Sequence, residues 1–428
     1  MNKFRRIITP EGVAINYVKN NVSKATLIDI LFNCGARCDT IPGLAHFTEH
    51  MFFTGTKDLS KEEITKRYFD LIDVNAFTST HDITFTGNIF TNELDKYLST
   101  VATMISESTF SQSAVDKEIK VVQQEIARSA DKYNRKAFEF NRYNICNDNV
   151  SKYSILGSKD SVASIKSKDV KAFVKKYFIR ENMEIYISSP MSFGKVKQLV
   201  YKKLISKIPS NKAFKPLPLY YYYIKNDDFL NIKTDKIDKS YVNLNFFSKH
   251  NNNEHEYKVK LDLVLRMLND ISEGIKKDIR LKKSLVYGGG FHSVFNDVNG
   301  GVHFETECDP ENINELLSTI ASYLDNLSKT GFTAEQLAKA KREIQYSEAT
   351  KEPRASKNMS KLYNYKYFGK IIDQEKLIKL SKSLTLAECN EVFNELFMNN
   401  RVALSVYGNA DKSKIINKRE FNKLFRSH

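Results

Sequence analysis

Residues 85 to 105, FTGNIFTNELDKYLSTVATMI, align without a gap on residues 304 to 324, FETECDPENINELLSTIASYL. Leu98-Ser99-Thr100 falls on Leu317-Ser318-Thr319, and Val101-Ala102 on Ile320-Ala321. Both stretches read as a strand end, a polar turn and a helix. A second pair, FSQSAVDKEIKVVQQEI (110 to 126) on FTAEQLAKAKREIQYSE (332 to 348), carries the match into the next helix. The offsets, 219 (304 minus 85) and 222 (332 minus 110), are about half of the 428 residues. A fixed period over successive elements is the mark of a repeated unit, so the chain is expected to fold as two homologous halves. Two cores also suit the length, since single cores seldom grow past about 250 to 300 residues.

Each half mixes alternating strands, such as TLIDILFNCG (26 to 35) and KSYVNLNFFS (239 to 248), with longer amphipathic helices. That pattern predicts an α+β fold, each half a mostly antiparallel sheet packed with helices. Between the halves, IPSNKAFKPLPLYYYYIKNDD (208 to 228) holds three prolines and breaks every period. The expected division is an N-terminal domain over 1–210, a linker over 211–228 and a C-terminal domain over 229–428. The linker's run Tyr220 to Tyr223 is expected to pack against a domain rather than serve as a binding platform.

Lysine and arginine outnumber aspartate and glutamate by 66 to 51, a formal charge of +15, which raises nucleic acid as a partner. The basic residues are interleaved with acids, as in KEEITKR (61 to 67) and KEIKVVQQE (117 to 125). They therefore read as solvated faces, and no nucleic-acid role is expected. No apolar run approaches the roughly 18 residues of a membrane span. The opening MNKFRRIITPEG has no apolar core of a signal peptide, so the expected address is cytoplasmic. The cysteines, 34, 38, 146, 308 and 389, are odd in number and scattered. They read as reduced, buried thiols, Cys34 and Cys38 included.

In GLAHFTEHMFFTGT (43 to 56), His46, Glu49 and His50 stand at i, i+3 and i+4, one face of a helix. Leu44, Phe47 and Met51 anchor other parts of that helix, and Gly55 is placed to end it. Two neutral nitrogen ligands with a carboxylate beside them are what a hydrolytic zinc site needs, the carboxylate taking a proton from bound water. A third protein ligand must come from elsewhere. A helix read as starting at Ser113-x-x-Asp116 carries Val115, Ile119, Val122 and Ile126 as its apolar stripe. Glu118 and Glu125, two turns apart, flank that stripe. Carboxylates at the edge of a buried face are costly unless paired or metal-bound, so this pair is well placed for a metal.

With these residues in view the chain resembles the pitrilysin, insulysin and mitochondrial processing peptidase group of zinc metallopeptidases, whose His-x-x-Glu-His order is the inverzincin motif. The resemblance rests on NCGARCDTIPGLAHFTEHMFFTGT (33 to 56), DVNAFTSTHDITFTGNI (73 to 89) and EIKVVQQE (118 to 125). It implies one zinc ion per chain bound by His46, His50 and Glu125, Glu49 as general base, and Glu118 supporting the site from behind the ligands. It also implies that Asn75, Ala76 and Phe77 lie on an edge strand that pairs with the substrate backbone. In RLKKSLVYGGG (280 to 290), Arg280 and Tyr287 look like the family's Arg and Tyr that reach the bound peptide from the noncatalytic half.

The second half has lost its own copy of the site. Glu118 and Glu125 face Ala340 and Ser347 in the repeat, and no His-x-x-Glu-His occurs after residue 230. The resemblance therefore implies a metalloendopeptidase acting on short or unfolded peptides, in leader or targeting peptide processing or in peptide scavenging. Two such chains would pair to enclose a clam-shell chamber, as a homodimer or with an inactive paralogous subunit. The alternative is a noncatalytic scaffold subunit of a heterodimeric peptidase. Such a protein would be expected to have lost a ligand, and here all are present. The stretch NDISEGIKKDIR (269 to 280) lacks the glycine-rich loop of the mitochondrial enzyme's noncatalytic subunit.

Overall fold

A computed structural model of the chain describes residues 4–130, 132–146, 154–217, 230–251, 253–295, 300–350, 359, 362–363, 374–399 and 402–425. In chain order the first half supplies β1 (Phe4–Ile8), β2 (Ala14–Lys19), β3 (Ala25–Phe32), α1 (Leu44–Met51), α2 (Lys61–Phe69), β4 (Val74–Thr78), β5 (Ile83–Phe90), α3 (Leu94–Glu107), α4 (Gln112–Ala130), α5 (Tyr133–Ile145), α6 (Lys159–Ser164), α7 (Ser167–Tyr177), β6 (Met183–Ser189) and α8 (Phe193–Lys203). The second supplies β7 (Leu230–Thr234), β8 (Ser240–Ser248), α9 (His255–Leu268), β9 (Gly290–Phe295), β10 (Gly300–Cys308), α10 (Ile313–Thr330), α11 (Ala334–Ala349), α12 (Gln374–Ser383), α13 (Leu386–Phe393), β11 (Val402–Gly408) and α14 (Lys418–Phe425). The tyrosine run 220–223 lies outside the described residues.

The expected α+β architecture is what forms. One sheet runs β1-β2-β6-β3-β5-β4 and the other β7-β11-β8-β10-β9. All neighbours are antiparallel except β2 with β6 and β7 with β11. Without β1, the two orders are the same, including the position of the single parallel pair. The strands alternate as a two-faced sheet requires. Ile28, Ile30 and Phe32 of β3 enter the main apolar cluster with Phe47, Phe52, Phe85 and Val122. Leu31 belongs to a separate cluster on the other face with Val18 and Tyr186.

The compact units are not the two halves cut at the linker. Helix α5 belongs to the second unit, and Met359, Leu362 and Tyr363 to the first. Ala137, Asn141 and Ile145 are the buried residues of α5, spaced i, i+4 and i+8. Asn141 and Asn245 of β8 exchange amide hydrogen bonds at 3.2 and 2.8 Å. In the first unit Tyr363 Oη donates to Asp29 at 2.7 Å, and its ring stacks on Tyr186 at 5.1 Å. The exchange is thus reciprocal, each half lending a segment to the face of the other's sheet that lies away from its main core.

Candidate metal centre

Helix α1 starts without an ordinary side-chain cap. Gly43 sits at φ 92°, and a Cβ there would lie 2.6 Å from the Leu156 carbonyl oxygen, so only glycine fits. Asp39 takes over the capping from upstream, its carboxylate accepting from the Gly43 and Ala45 amides at 2.8 and 2.7 Å. Burial pushes the Asp39 carboxyl up to about 7, against the pull of those backbone bonds. Leu44, Phe47 and Met51 enter the core as expected. The helix ends at Met51, before Gly55.

Helix α4 also differs at its start. Ser113 lies inside it, and Ser111 Oγ accepts from the Ala114 amide at 3.2 Å. The sequence offers two serines two residues apart, and the first is the one that accepts from the helix's first turn. The apolar stripe is as read: Val115 and Val122 are fully buried, with Ile119 and Ile126 packed against the same core.

These two helices bring His46, His50 and Glu125 together, one ligand atom from each lying within 4.8 Å of the others. Glu125 Oε2 is 3.7 Å from His46 Nε2 and 3.5 Å from His50 Nε2. A tetrahedral ion with bonds of about 2.0 to 2.2 Å sets its donors about 3.3 to 3.6 Å apart. The donor set, two imidazoles and a carboxylate, therefore suits zinc in its chemistry, with the two spacings from Glu125 close to those of a tetrahedral ion, and three protein ligands would leave a fourth position open.

Glu118 is 5% exposed, and its carboxylate has two donors: His50 Nδ1 at 3.0 Å on one oxygen and Lys61 Nζ at 3.1 Å on the other. Burial works to raise its pKa, but those bonds hold the carboxyl below its ordinary range. On His50 the balance runs the other way. Burial favours the neutral ring, yet Glu118 and Glu125 push its pKa up to about 9, so a proton competes with a metal for this imidazole. Glu49 is buried beside His50 and Glu125, and Thr78 Oγ1 donates to its Oε2 at 2.6 Å. Burial raises the Glu49 carboxyl despite the Thr78 bond, the direction that suits a proton acceptor working near neutrality.

Asn75, Ala76 and Phe77 lie on β4, which is the edge of its sheet. They pair with Thr86, Phe85 and Thr84 of β5; Asn75 and Phe77 are exposed and Ala76 is buried. Arg280 and Tyr287 belong to the second unit. They meet each other, the guanidinium carbon 5.1 Å from the ring centroid. Tyr287 is 88% exposed and lines a cavity of about 820 Å³ within that unit, with Phe138, Tyr241, His292 and Glu305. Sequence reasoning passed over Asp39, Thr78 and Lys61. In the sequence Lys61 reads as part of a solvated face, whereas its ammonium is spent on a buried carboxylate. The one available signal was a lysine in the first turn of a helix, where anions are preferred.

Comparison with known proteins places this geometry. Residues 15–159 match the model of insulinase, peptidase family M16, and residues 164–344 match the peptidase M16 inactive domain. An uncharacterized zinc protease of Bacillus subtilis, YmxG, is 26% identical over 420 residues, 91% of this chain and 96% of that protein. The mitochondrial-processing peptidase subunit beta of Saccharomyces cerevisiae is 24% identical over 222 residues, covering 49% of this chain and 48% of that one. Among solved structures, a protease from Helicobacter pylori superposes with a TM-score of 0.82 at 20% identity, over 95% of this chain and 99% of that one. Among the described residues no helix is long and apolar enough to cross a membrane. With residues 15–159 matching the insulinase family and residues 164–344 its inactive domain, the chain belongs to peptidase family M16.

Proposed function

We propose that this protein is a zinc-dependent endopeptidase acting on short or unfolded peptides. The observation that carries the reading is the convergence of His46, His50 and Glu125 within 4.8 Å, with Glu49 buried next to them and held by Thr78. His46, His50 and Glu125 would hold zinc, which when bound supplies Lewis acidity to a peptide carbonyl and acidifies a water. Glu49 would take a proton from the attacking water and return it to the leaving amine, and Thr78 occupies one Glu49 oxygen, leaving the other to accept that proton. The edge position of β4 supports peptide binding by strand addition along Asn75, Ala76 and Phe77, a mode that reads backbone before side chains. Arg280 and Tyr287 are assigned to contact with the peptide, on the strength of the family motif and their exposure. Relatives that include a processing-peptidase subunit support pairing with a second chain, either a copy of itself or an inactive paralogue.

The test is hydrolysis of a quenched peptide library by the purified chain, with zinc content measured in parallel. One zinc per chain and cleavage abolished by chelator and restored by zinc are expected. Zinc-loaded protein that cleaves no peptide, alone or with a partner, would leave a noncatalytic subunit as the reading.

A further inference from the structure

Lys61 is the first residue of α2, a position fixed by reciprocal capping: Ser60 Oγ accepts from the Glu63 amide at 3.2 Å, and Glu63 Oε2 from the Ser60 amide at 2.8 Å. A cation in that first turn opposes the helix dipole, so local electrostatics gives no reason for it. Its partner is tertiary. The side chain, 53% exposed, reaches inward to Glu118, whose side chain is 6% exposed. From there the contacts run in line: Lys61 Nζ to Glu118 Oε2 at 3.1 Å, Glu118 Oε1 to His50 Nδ1 at 3.0 Å, and His50 Nε2 to Glu125 Oε2 at 3.5 Å.

A carboxylate can only accept, so the neutral His50 ring must carry its proton on Nδ1, leaving the Nε2 lone pair for a metal. The carboxylate does this only while it stays in the rotamer that faces Nδ1. His50 holds one oxygen and Lys61 the other, so Lys61 is the anchor on the side away from the metal. Charge points the same way. A bound dication meets three carboxylates, Glu49, Glu118 and Glu125, and the ammonium supplies the missing positive charge.

We propose that Lys61 is a positioning residue of the metal centre, anchoring Glu118 so that His50 presents Nε2 as a ligand. This rests on the reading of His46, His50 and Glu125 as a zinc site. The experiment measures the zinc dissociation constant of the full chain by competition with a chromogenic chelator, together with the visible spectrum of the cobalt-loaded protein and the thermal midpoint of the metal-free protein. Lys61→Met keeps the aliphatic stem and removes the charge. It is expected to weaken zinc binding about tenfold, the low end for partners behind the ligands, and to shift the cobalt bands, while the metal-free midpoint falls only modestly because His50 still donates to Glu118. Lys61→Arg, which keeps a charged donor, should recover most of the loss. Unchanged zinc affinity in Lys61→Met, or a loss that Lys61→Arg does not recover, overturns the proposal. Glu125→Ala separates the two levels: if it too binds zinc like the unaltered chain, the metal-site reading fails, whereas loss there and none in Lys61→Met removes only the role of Lys61.

Discussion

Helices α4 and α11 descend from one repeated unit, and they bury different side chains. Where α4 places Glu118, 5% exposed, α11 places Ala340, 2% exposed; where α4 offers Glu125, α11 has Ser347. The helices ahead of them diverge in the same sense. Buried residues of α1 include His46 and Glu49, while α9 buries Leu261, Leu263, Val264, Leu265 and Leu268. Both sheets nevertheless keep the same strand order. The ionisable cluster is therefore not needed for the fold, and burying it works against stability, since each desolvated charge costs several kcal/mol before its partners repay it. The first unit retains that cost with a network of donors; the second has replaced it with apolar packing.

The sharpest way to break this comparison is Glu49→Gln. The ligands and the Thr78 bond survive while the proton acceptor is lost, so turnover should fall about 10²- to 10⁴-fold with zinc content unchanged. Turnover close to that of the unaltered chain would mean that the first unit's buried charge serves no chemistry. The converse experiment puts the lost carboxylate back into the second unit. Ala340 belongs to an apolar cluster with Leu265, Leu268 and Leu337, so Ala340→Glu should destabilise that unit by about 3 kcal/mol, the cost of a buried charge without prepared partners. Urea unfolding followed by near-ultraviolet absorbance measures it. A loss below about 0.5 kcal/mol, within the range of ordinary surface changes, would show that position 340 accommodates charge without the donors found at 118.

Much of this contrast is legible in the sequence, because it lies in periodic elements. The repeat fixes which helix faces which, and the apolar stripe of α4 places both glutamates to within a side chain. What the sequence hides depends on which surface a segment meets. The i, i+4, i+8 pattern of Ala137, Asn141 and Ile145 shows that α5 buries one face, but a pattern cannot say that the face belongs to the other half's sheet. Thr78, Asp39 and Lys61 were hidden for the same reason. Each is an ordinary strand, turn or helix-start residue until tertiary folding sets it against Glu49, the α1 amides or Glu118.

Glu118→Ala tests whether the network in the first unit exists for the metal. It removes the acceptor of His50 Nδ1 and leaves the three ligands, so zinc affinity should drop about ten- to a hundredfold while stoichiometry at saturating zinc stays at one. Chelator competition reads the change. If Glu118→Ala emptied the site while Glu125→Ala left it filled, the two glutamates would have exchanged roles.

The smallest effect comes from how each chain segment enters its edge strand. Ahead of β4 stands Ile72, with φ 72° and 78% exposed; ahead of β9 stands Gly289, with φ 126°. A β-branched residue in the left-handed region costs roughly 1 to 2 kcal/mol and here recovers little by burial. Glycine adopts the same conformation freely but loses roughly 0.5 to 1 kcal/mol of unfolded-chain entropy. The difference predicts that Ile72→Gly stabilises the first unit by about 0.5 to 1 kcal/mol, a rise of about 1 to 4 °C for a unit of this size. Gly289→Ala should do the reverse and by more, because its Cβ would lie 2.7 Å from the Glu305 carbonyl oxygen as well as in a strained backbone region. Calorimetry on both variants decides the matter. If Ile72→Gly lowered the midpoint, the isoleucine would be stabilising its turn through contacts that its exposure does not reveal, and the two edge entries would differ in packing rather than in strain.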